Sequence, residues 1–218
     1  MKKSTKILLL ILSILLVFFA FLIWPGKLYK KIQDRWGPKQ STQSLQDEAS
    51  SKIADDKYTE AVPILEAIVK KDPKNSKAWT DLGICYLYAK DYQRAKEAFS
   101  AAIKYDSSSS SLYNLLGNAE RDTSDLEGAK KSYQKSIDLN KAQFNAYINL
   151  ASLLYNQAKY DEAIAVLIEG KTNIPKYMEI RYMLASFYKN LNQTANYNRE
   201  IKEILAINPD DKWANTNK

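Results

Sequence analysis

The chain has 218 residues, of which 32 are basic and 25 acidic, a formal net charge of +7, no histidine and one cysteine. Without histidine it has no Ser/His/Asp or Cys/His nucleophile, no imidazole metal ligand and no ordinary histidine pH switch. With one cysteine it forms no intramolecular disulfide and no thiolate metal cluster, and we expect Cys85 to be a small buried apolar residue.

The positive charge is concentrated at the amino terminus. Eight basic residues and one acid, Asp34, precede Thr42, which leaves 24 basic and 24 acidic residues from Thr42 onward. A basic pI is typical of nucleic-acid binding, but this excess flanks an apolar run while the rest of the chain is neutral. We therefore expect a membrane and no nucleic acid as the partner of the basic segments.

An uncharged apolar run at 7–24, from Ile7 to Trp24, follows a basic tail at 1–6. As a helix it would be about 27 Å long, close to the roughly 30 Å hydrocarbon core of a bilayer. Trp24 and Tyr29 stand where interfacial aromatic residues are found. The sequence predicts a single transmembrane signal anchor at 7–24, followed by a juxtamembrane linker at 25–41.

Two properties of the anchor remain open. A cleaved signal peptide needs small residues in an A-x-A-like pattern, but Phe18 and Trp24 occupy the first position of the two candidate sites, which favours an uncleaved anchor. Basic residues flank both ends of the run, so the positive-inside rule does not decide its orientation. The Lys-rich start resembles a bacterial export signal, which predicts a cytoplasmic N-terminus and an extracytoplasmic remainder. The alternative is the reversed topology.

A motif of six residues stands within 78–102. Its members are Trp79, Leu82, Gly83, Tyr86, Ala95 and Phe99. This is the W-x₂-L-G-x₂-Y…A-x₃-F pattern, and the stretch resembles the tetratricopeptide repeat, a helix–turn–helix unit of about 34 residues. The chain continues in the same register, which predicts five units at 42–75, 76–109, 110–143, 144–177 and 178–211, with a tail at 212–218.

Residue columns support this register. The small-residue column of the first helices reads Ala49, Gly83, Gly117, Ala151 and Ala185. The large apolar column of the second helices reads Leu65, Phe99, Tyr133, Leu167 and Ile201. The resemblance implies an all-α fold, a right-handed α-solenoid of five stacked tetratricopeptide units preceded by a single transmembrane helix. We expect Pro63 to lie in the first turn of its helix, where a missing N–H does no harm.

The resemblance also implies a partner-binding groove, because in this family the first helices of successive units line a concave surface that binds a peptide or a partner helix. Its columns in this sequence are Lys77, Thr80, Ile84, Leu87, Tyr88, Asn114, Asn118, Arg121, Asn145, Ile148, Ser152, Tyr155, Tyr182, Ser186 and Lys189. The alternative is ordinary solvated helix surface. Some co-chaperones of the family grip a C-terminal carboxylate there with asparagines and cations; Asn118 and Asn149 have the asparagine spacing, but the cations are missing.

The function predicted from these features is noncatalytic. We expect a membrane-anchored scaffold that binds a protein or peptide in the groove without a cofactor, in the assembly of a bacterial envelope or secretion complex. The alternatives are a cytoplasm-facing receptor or adaptor and, more remotely, an enzyme accessory domain. At the C-terminal end, either Trp213 folds back over the last helix or an apolar face stays open, which would permit self-association through the last repeat.

Overall fold

Five antiparallel helix pairs and one short terminal helix make up residues 42–218 in the computed structural model, which describes residues 41–218. The helices are α1 (Thr42–Ala54), α2 (Tyr58–Lys71), α3 (Ser76–Tyr88), α4 (Tyr92–Ile103), α5 (Ser110–Asp122), α6 (Leu126–Leu139), α7 (Phe144–Asn156), α8 (Tyr160–Asn173), α9 (Met178–Asn190), α10 (Thr194–Ile207) and α11 (Lys212–Thr216). We call the five pairs units 1 to 5, and the first and second helix of each pair its A and B helix. The all-α repeat solenoid is confirmed.

The predicted anchor at 7–24 lies outside the described residues. Within 41–218, none of the helices has the length and apolar character to cross a membrane.

Volume-matched pairs hold the A and B helices together. A Cβ atom on Gly83 would lie 2.6 Å from the ring of Phe99, and one on Gly117 would lie 2.6 Å from the ring of Tyr133. The other three units carry alanine in the A helix and an aliphatic residue in the B helix, as in Ala49 and Leu65, and these residues are buried. The close approach of the helices is therefore kept by glycine opposite an aromatic ring, or alanine opposite a smaller side chain.

The buried apolar side chains form two clusters that meet inside unit 3. One cluster runs from α1 to α5 and the other from α6 to α11. Polar contacts cross the boundary between α5 and α6: Ser132 donates to Glu120 over 2.6 Å, and Ser136 donates to the carbonyl of Ser110 over 2.8 Å. Both serines are buried, so these bonds satisfy groups that would otherwise be costly to bury.

Pro63 lies inside α2 as the sixth residue of a helix that starts at Tyr58, so the expectation that it occupies the first turn is wrong. The helix begins early because Asp56 turns the chain and Lys57 stands at the N-cap. The missing N–H of Pro63 leaves the carbonyl of Thr59 without its helical donor. Pro63 and Thr59 are both exposed, which lets solvent reach this turn.

The short helix α11 repeats the start of an A helix. Lys212 stands 34 residues after Met178, the first residue of α9. Asp211 caps α11 by accepting from the amide of Ala214, which is fully buried. Trp213 packs against Tyr182 with ring centroids 4.9 Å apart, so it folds back onto α9, the A helix of the last unit, where the expectation named the last helix.

The turns between A and B helices place one residue per unit in the left-handed backbone region. These residues have φ between 56° and 64° and recur every 34 positions: Asp56, Lys90, Ser124, Ala158 and Asn192. A β-carbon makes this conformation unfavourable, and asparagine tolerates it better than alanine does. Each turn therefore costs some conformational free energy, because none of the five residues is glycine.

Ala158→Gly should raise the free energy of unfolding by about 0.5–1 kcal/mol, because glycine removes the left-handed strain while adding some entropy to the unfolded chain. Urea unfolding followed by circular dichroism measures the change. Asn192→Gly is the matched control and should gain less. An equal gain at both positions, or a loss at Ala158, would contradict the role assigned to the β-carbon.

Candidate binding groove

The A helices carry the residues predicted to bind a partner, and we call their common surface the groove face. Lys77, Tyr88, Arg121, Asn145 and Lys189 are exposed on it. Asn114 is buried, and half-buried positions are taken by Thr80, Ile84, Leu87, Asn118, Ile148, Ser152, Tyr155, Tyr182 and Ser186. The predicted residues therefore differ in what they can offer to a partner.

An apolar cavity of about 390 Å³ opens between α3 and α5, and we call it the groove cavity. Three predicted residues line it, Ile84, Leu87 and Tyr88, together with Leu115. Leu115 was not among the predicted residues, although its place three residues before Asn118 puts it on the same helix face. The groove cavity has room for a large apolar side chain of a partner.

Tyr88 forms a fixed wall of this cavity. Its side chain is 63 % exposed, the largest value among the exposed large apolar residues of the described chain. Its ring stacks on that of Tyr58 with centroids 3.8 Å apart and planes 4° apart. The hydroxyl of Tyr58 donates to Asp56 over 2.8 Å, and this hydrogen bond holds the Tyr58 ring in position under Tyr88. Tyr88 thus presents a rigid aromatic surface at low entropic cost to binding.

A smaller polar cavity of about 200 Å³ adjoins the groove cavity and shares Leu115 with it. Lys77 and Thr80 line it, and each makes a polar contact within the chain. The ammonium of Lys77 lies 2.6 Å from Asp81, and the hydroxyl of Thr80 donates to the carbonyl of Ser76.

The asparagines of units 3 and 4 bond to one another. The amide of Asn149 donates to Asn114 over 3.0 Å and to Asn118 over 3.1 Å. The hydroxyl of Tyr133 also donates to Asn118, over 2.9 Å. These bonds join α5 to α7, so Asn114 and Asn118 contribute to packing between units. A carboxylate clamp built on Asn118 and Asn149 is further disfavoured because Asn149 already donates to two oxygens.

The groove face of units 4 and 5 is largely packed against itself. Tyr155 stacks on Phe187 with centroids 4.1 Å apart and meets the edge of Tyr160 at 5.0 Å. The hydroxyl of Ser186 donates to the carbonyl of Tyr182 in its own helix. The hydroxyl of Ser152 lies 4.0 Å from the sulfur of Met183.

Tyr182 and Lys189 bond to the two residues that flank α11, Asp211 before it and Asn217 after it. The hydroxyl of Tyr182 donates to Asp211 at very short range, and the ammonium of Lys189 donates to Asn217 over 3.2 Å. The bond to Asp211 raises the pKa of Tyr182 to about 12 and lowers the pKa of Asp211. The C-terminal end of the groove face is thereby covered, which leaves α3 and α5 as its most open part.

Charges on the open part are paired within the chain. Arg121 bonds to Asp122 over 2.9 Å, which raises the pKa of the guanidinium. Asp81 accepts from Lys77 and from Gln46. The groove cavity is therefore flanked by neutral pairs, and apolar contact is what it offers to a partner.

The described residues contain neither an accessible thiol nor a group of metal ligands. Cys85 is fully buried, as predicted, and burial raises the pKa of its thiol to about 11, so it is not an accessible nucleophile. Across residues 41–218, acidic and thiol side chains form no group of three or more that could hold a metal ion.

Acidification should undock α11 below about pH 4, the ordinary pKa range of aspartate. The pKa of Asp211 is lowered in the folded state, so its stabilising effect is complete above the ordinary value and is lost as the pH falls through the lowered one. The fluorescence difference between the wild type and Trp213→Phe measures docking. Asp211→Asn keeps an acceptor but does not titrate, so its docking should not depend on pH; the same acid transition in this variant would contradict the assignment.

Comparisons with known proteins agree with the architecture. Two sequence models described as tetratricopeptide repeat match residues 52–119 and 114–176. A crystal structure of MamA superposes with a TM-score of 0.65 at 20 % identity, covering 73 % of this chain and 93 % of that one. YrrB, described as a TPR protein with an unusual peptide-binding site, gives 0.62 at 18 % identity, covering 88 % and 97 %.

A thermophilic TPR protein from Thermus thermophilus gives a TM-score of 0.56 at 18 % identity, covering 81 % of this chain and 96 % of that one. At these identities the likeness concerns the fold. No curated protein matches the sequence significantly. The two sequence models together span more than half of the chain. The chain therefore belongs to the tetratricopeptide repeat family.

Proposed function

We propose that this protein is a membrane-anchored, noncatalytic scaffold that binds a segment of a partner protein at the groove cavity. One observation carries the proposal: an apolar cavity of about 390 Å³ lies beside a rigid, 63 % exposed Tyr88. Tetratricopeptide proteins are typically noncatalytic scaffolds for protein or peptide partners, and YrrB is described as having a peptide-binding site. The partner presents an apolar side chain to Ile84 and Leu87.

Photocrosslinking in cells tests the groove cavity. A benzophenone residue replacing Tyr88 should form a specific crosslink to a partner. The matched control replaces Tyr105, which is also a tyrosine, is 48 % exposed, lies just after the end of α4 and does not line the groove cavity. Crosslinks from position 105 and none from position 88 would contradict the proposal.

The membrane part of the proposal rests on the apolar run at 7–24. The full chain should remain in the membrane pellet after alkaline extraction. Leu15→Arg places a charge near the middle of the run, which costs about 2.5–3.5 kcal/mol in a bilayer, and should lower the fraction of the chain retained in the pellet. Serine at the same position is the control and should leave it in the pellet. Release of the wild-type chain would show that 7–24 is not a stable anchor.

The repeats lie outside the cytoplasm in this proposal, in a complex of a bacterial envelope or secretion system. The Lys-rich start of the chain supports this orientation. A reporter fused after Lys218 should be active only on the extracytoplasmic side. Activity in the cytoplasm would favour the second candidate, a cytoplasm-facing adaptor with the same groove.

A further inference from the structure

A second cleft lies on the face of α3 opposite to the groove cavity, and we call it the outer cleft. Its volume is about 480 Å³, larger than that of the groove cavity. Its walls come from α2, α3 and α4, and the two cavities share no residue. Apolar side chains form its floor, among them Val69, Trp79 and Ala98. Trp79 is half-buried, so its ring remains accessible from the cleft.

The same place between units 4 and 5 is filled by charged side chains. Three units further along the chain, the positions of Val69, Trp79, Ala98 and Ala101 are held by Lys171, Arg181, Glu200 and Glu203. Lys171 lies 2.6 Å from Glu200 and 3.1 Å from Glu203, and Arg181 lies 3.0 Å from Glu203. Burial alone would raise the pKa of Glu203, but its bonds to Lys171 and Arg181 outweigh burial and lower it.

This comparison between units explains why the outer cleft is open. Ala98 and Ala101 lack the side chains that Glu200 and Glu203 place in the equivalent space. Val69 and Trp79 replace the two cations, so the emptied space is lined by apolar atoms. A charged group would lose its hydration there without a partner, whereas an apolar side chain would be stabilised by burial.

The rim of the outer cleft carries an excess of unpaired carboxylates. Glu66 accepts from the hydroxyl of Tyr86, and Glu97 accepts from the amide of Gln93. Neither glutamate has an ion-pair partner within residues 41–218, whereas Arg94 is paired with Asp91 over 2.6 Å. Arg94 also lines the cleft, with its guanidinium 4.5 Å from the centroid of the Tyr86 ring, but Asp91 balances its charge. Lys70 is therefore the one unpaired cation that opposes Glu66 and Glu97 on the described rim, and this excess of one carboxylate makes the rim complementary to a positively charged neighbour of the inserted side chain.

We propose that the outer cleft is a second docking site, separate from the groove, for a segment of a partner protein that inserts one large apolar side chain and carries a lysine or arginine beside it. Val69, Trp79 and Ala98 surround the apolar side chain. Glu66 and Glu97 bind the flanking cations. The protein can then hold one partner segment in the groove and another on the opposite face of α3.

Three labelled peptides test this site by fluorescence anisotropy with the full chain in detergent. The first has the sequence Gly-Ser-Lys-Leu-Lys-Ser-Gly, the second has glutamate in place of both lysines, and the third has serine in place of leucine. The first should bind at least about tenfold more tightly than the other two, because it alone offers both an apolar side chain to the floor of the cleft and lysines to the carboxylates on its rim. Equal binding of all three would overturn the proposal.

Variants of the chain locate the binding. Ala101→Leu fills the outer cleft from a half-buried helical position and should weaken binding of the first peptide by about tenfold, whereas Tyr88→Ala should change it by less than about twofold. Glu97→Lys, at an exposed position, should shift the preference toward the glutamate peptide. Thermal unfolding verifies that each variant folds. Loss of binding with Tyr88→Ala but not with Ala101→Leu would place the peptide in the groove and refute the outer site.

Discussion

Gly83→Ala should lower the free energy of unfolding by about 2 kcal/mol, and adding Phe99→Leu should restore most of the loss. The new β-carbon would lie 2.6 Å from the Phe99 ring, which is fully buried and cannot move aside. Overpacking of this kind costs about 1–3 kcal/mol, more than the helix propensity gained by replacing glycine. The double variant recreates the pair of Ala49 and Leu65 in unit 1.

A double-mutant cycle measured by urea unfolding gives the coupling. Phe99→Leu alone leaves a gap beside Gly83 and should cost about 1 kcal/mol. The double variant should be more stable than Gly83→Ala alone, so the coupling between the two positions is favourable. If the two losses simply add, the paired columns do not reflect volume matching and this account of helix approach is wrong.

The helical repeat was predictable because its signal is redundant. Small residues in one column and large residues sixteen positions later recur in every unit, as at Gly83 and Phe99 or Gly117 and Tyr133. In units 2 and 3 the glycine lies directly against the ring of its partner, so the sixteen-residue spacing indicates which side chains meet. The turn residues were less visible, since Lys90 and Ala158 adopt the left-handed region without being glycine or asparagine.

The groove cavity was only partly accessible to prediction. Column position places Tyr88, Tyr155 and Tyr182 on the same face, but it does not say what each ring touches. Tyr155 is packed against Phe187 and Tyr182 against Trp213, whereas Tyr88 has one stacked neighbour and stays exposed. These differences depend on residues in other columns. Leu115, by contrast, could have been predicted, because it lies three residues before Asn118 on the same helix face.

The outer cleft could not be predicted from the sequence either, because its shape also depends on which side chains meet from different columns. Alanine at Ala98 and Ala101 is unremarkable in a helix, and its consequence follows only from what fills the equivalent space elsewhere. Glu200 and Glu203 occupy that space between units 4 and 5, where Lys171 and Arg181 neutralise them. The same space is thus left open and apolar between units 1 and 2, and is filled by charged side chains between units 4 and 5. The filled arrangement depends on a buried ion pair.

Lys171→Val should therefore cost about 3–5 kcal/mol, because it leaves a buried carboxylate without its cation. Glu200 is 1 % exposed, one of its oxygens accepts from Lys171 over 2.6 Å, and the other has no hydrogen-bond partner. Adding Glu200→Ala reproduces the Val69 and Ala98 pair of the outer cleft. The double variant should recover most of the stability, since no unpaired charge remains and valine is apolar.

Lys130→Val is the matched control, because it makes the same chemical change at an exposed ion pair. Lys130 lies 2.8 Å from Glu162, and the two side chains are 35 % and 54 % exposed. Water screens such a pair, so the control should lose no more than about 1 kcal/mol. Urea unfolding of the four proteins separates the possibilities. If Lys171→Val costs no more than Lys130→Val, or if Glu200→Ala fails to rescue it, burial of the carboxylate is not what makes Lys171 necessary.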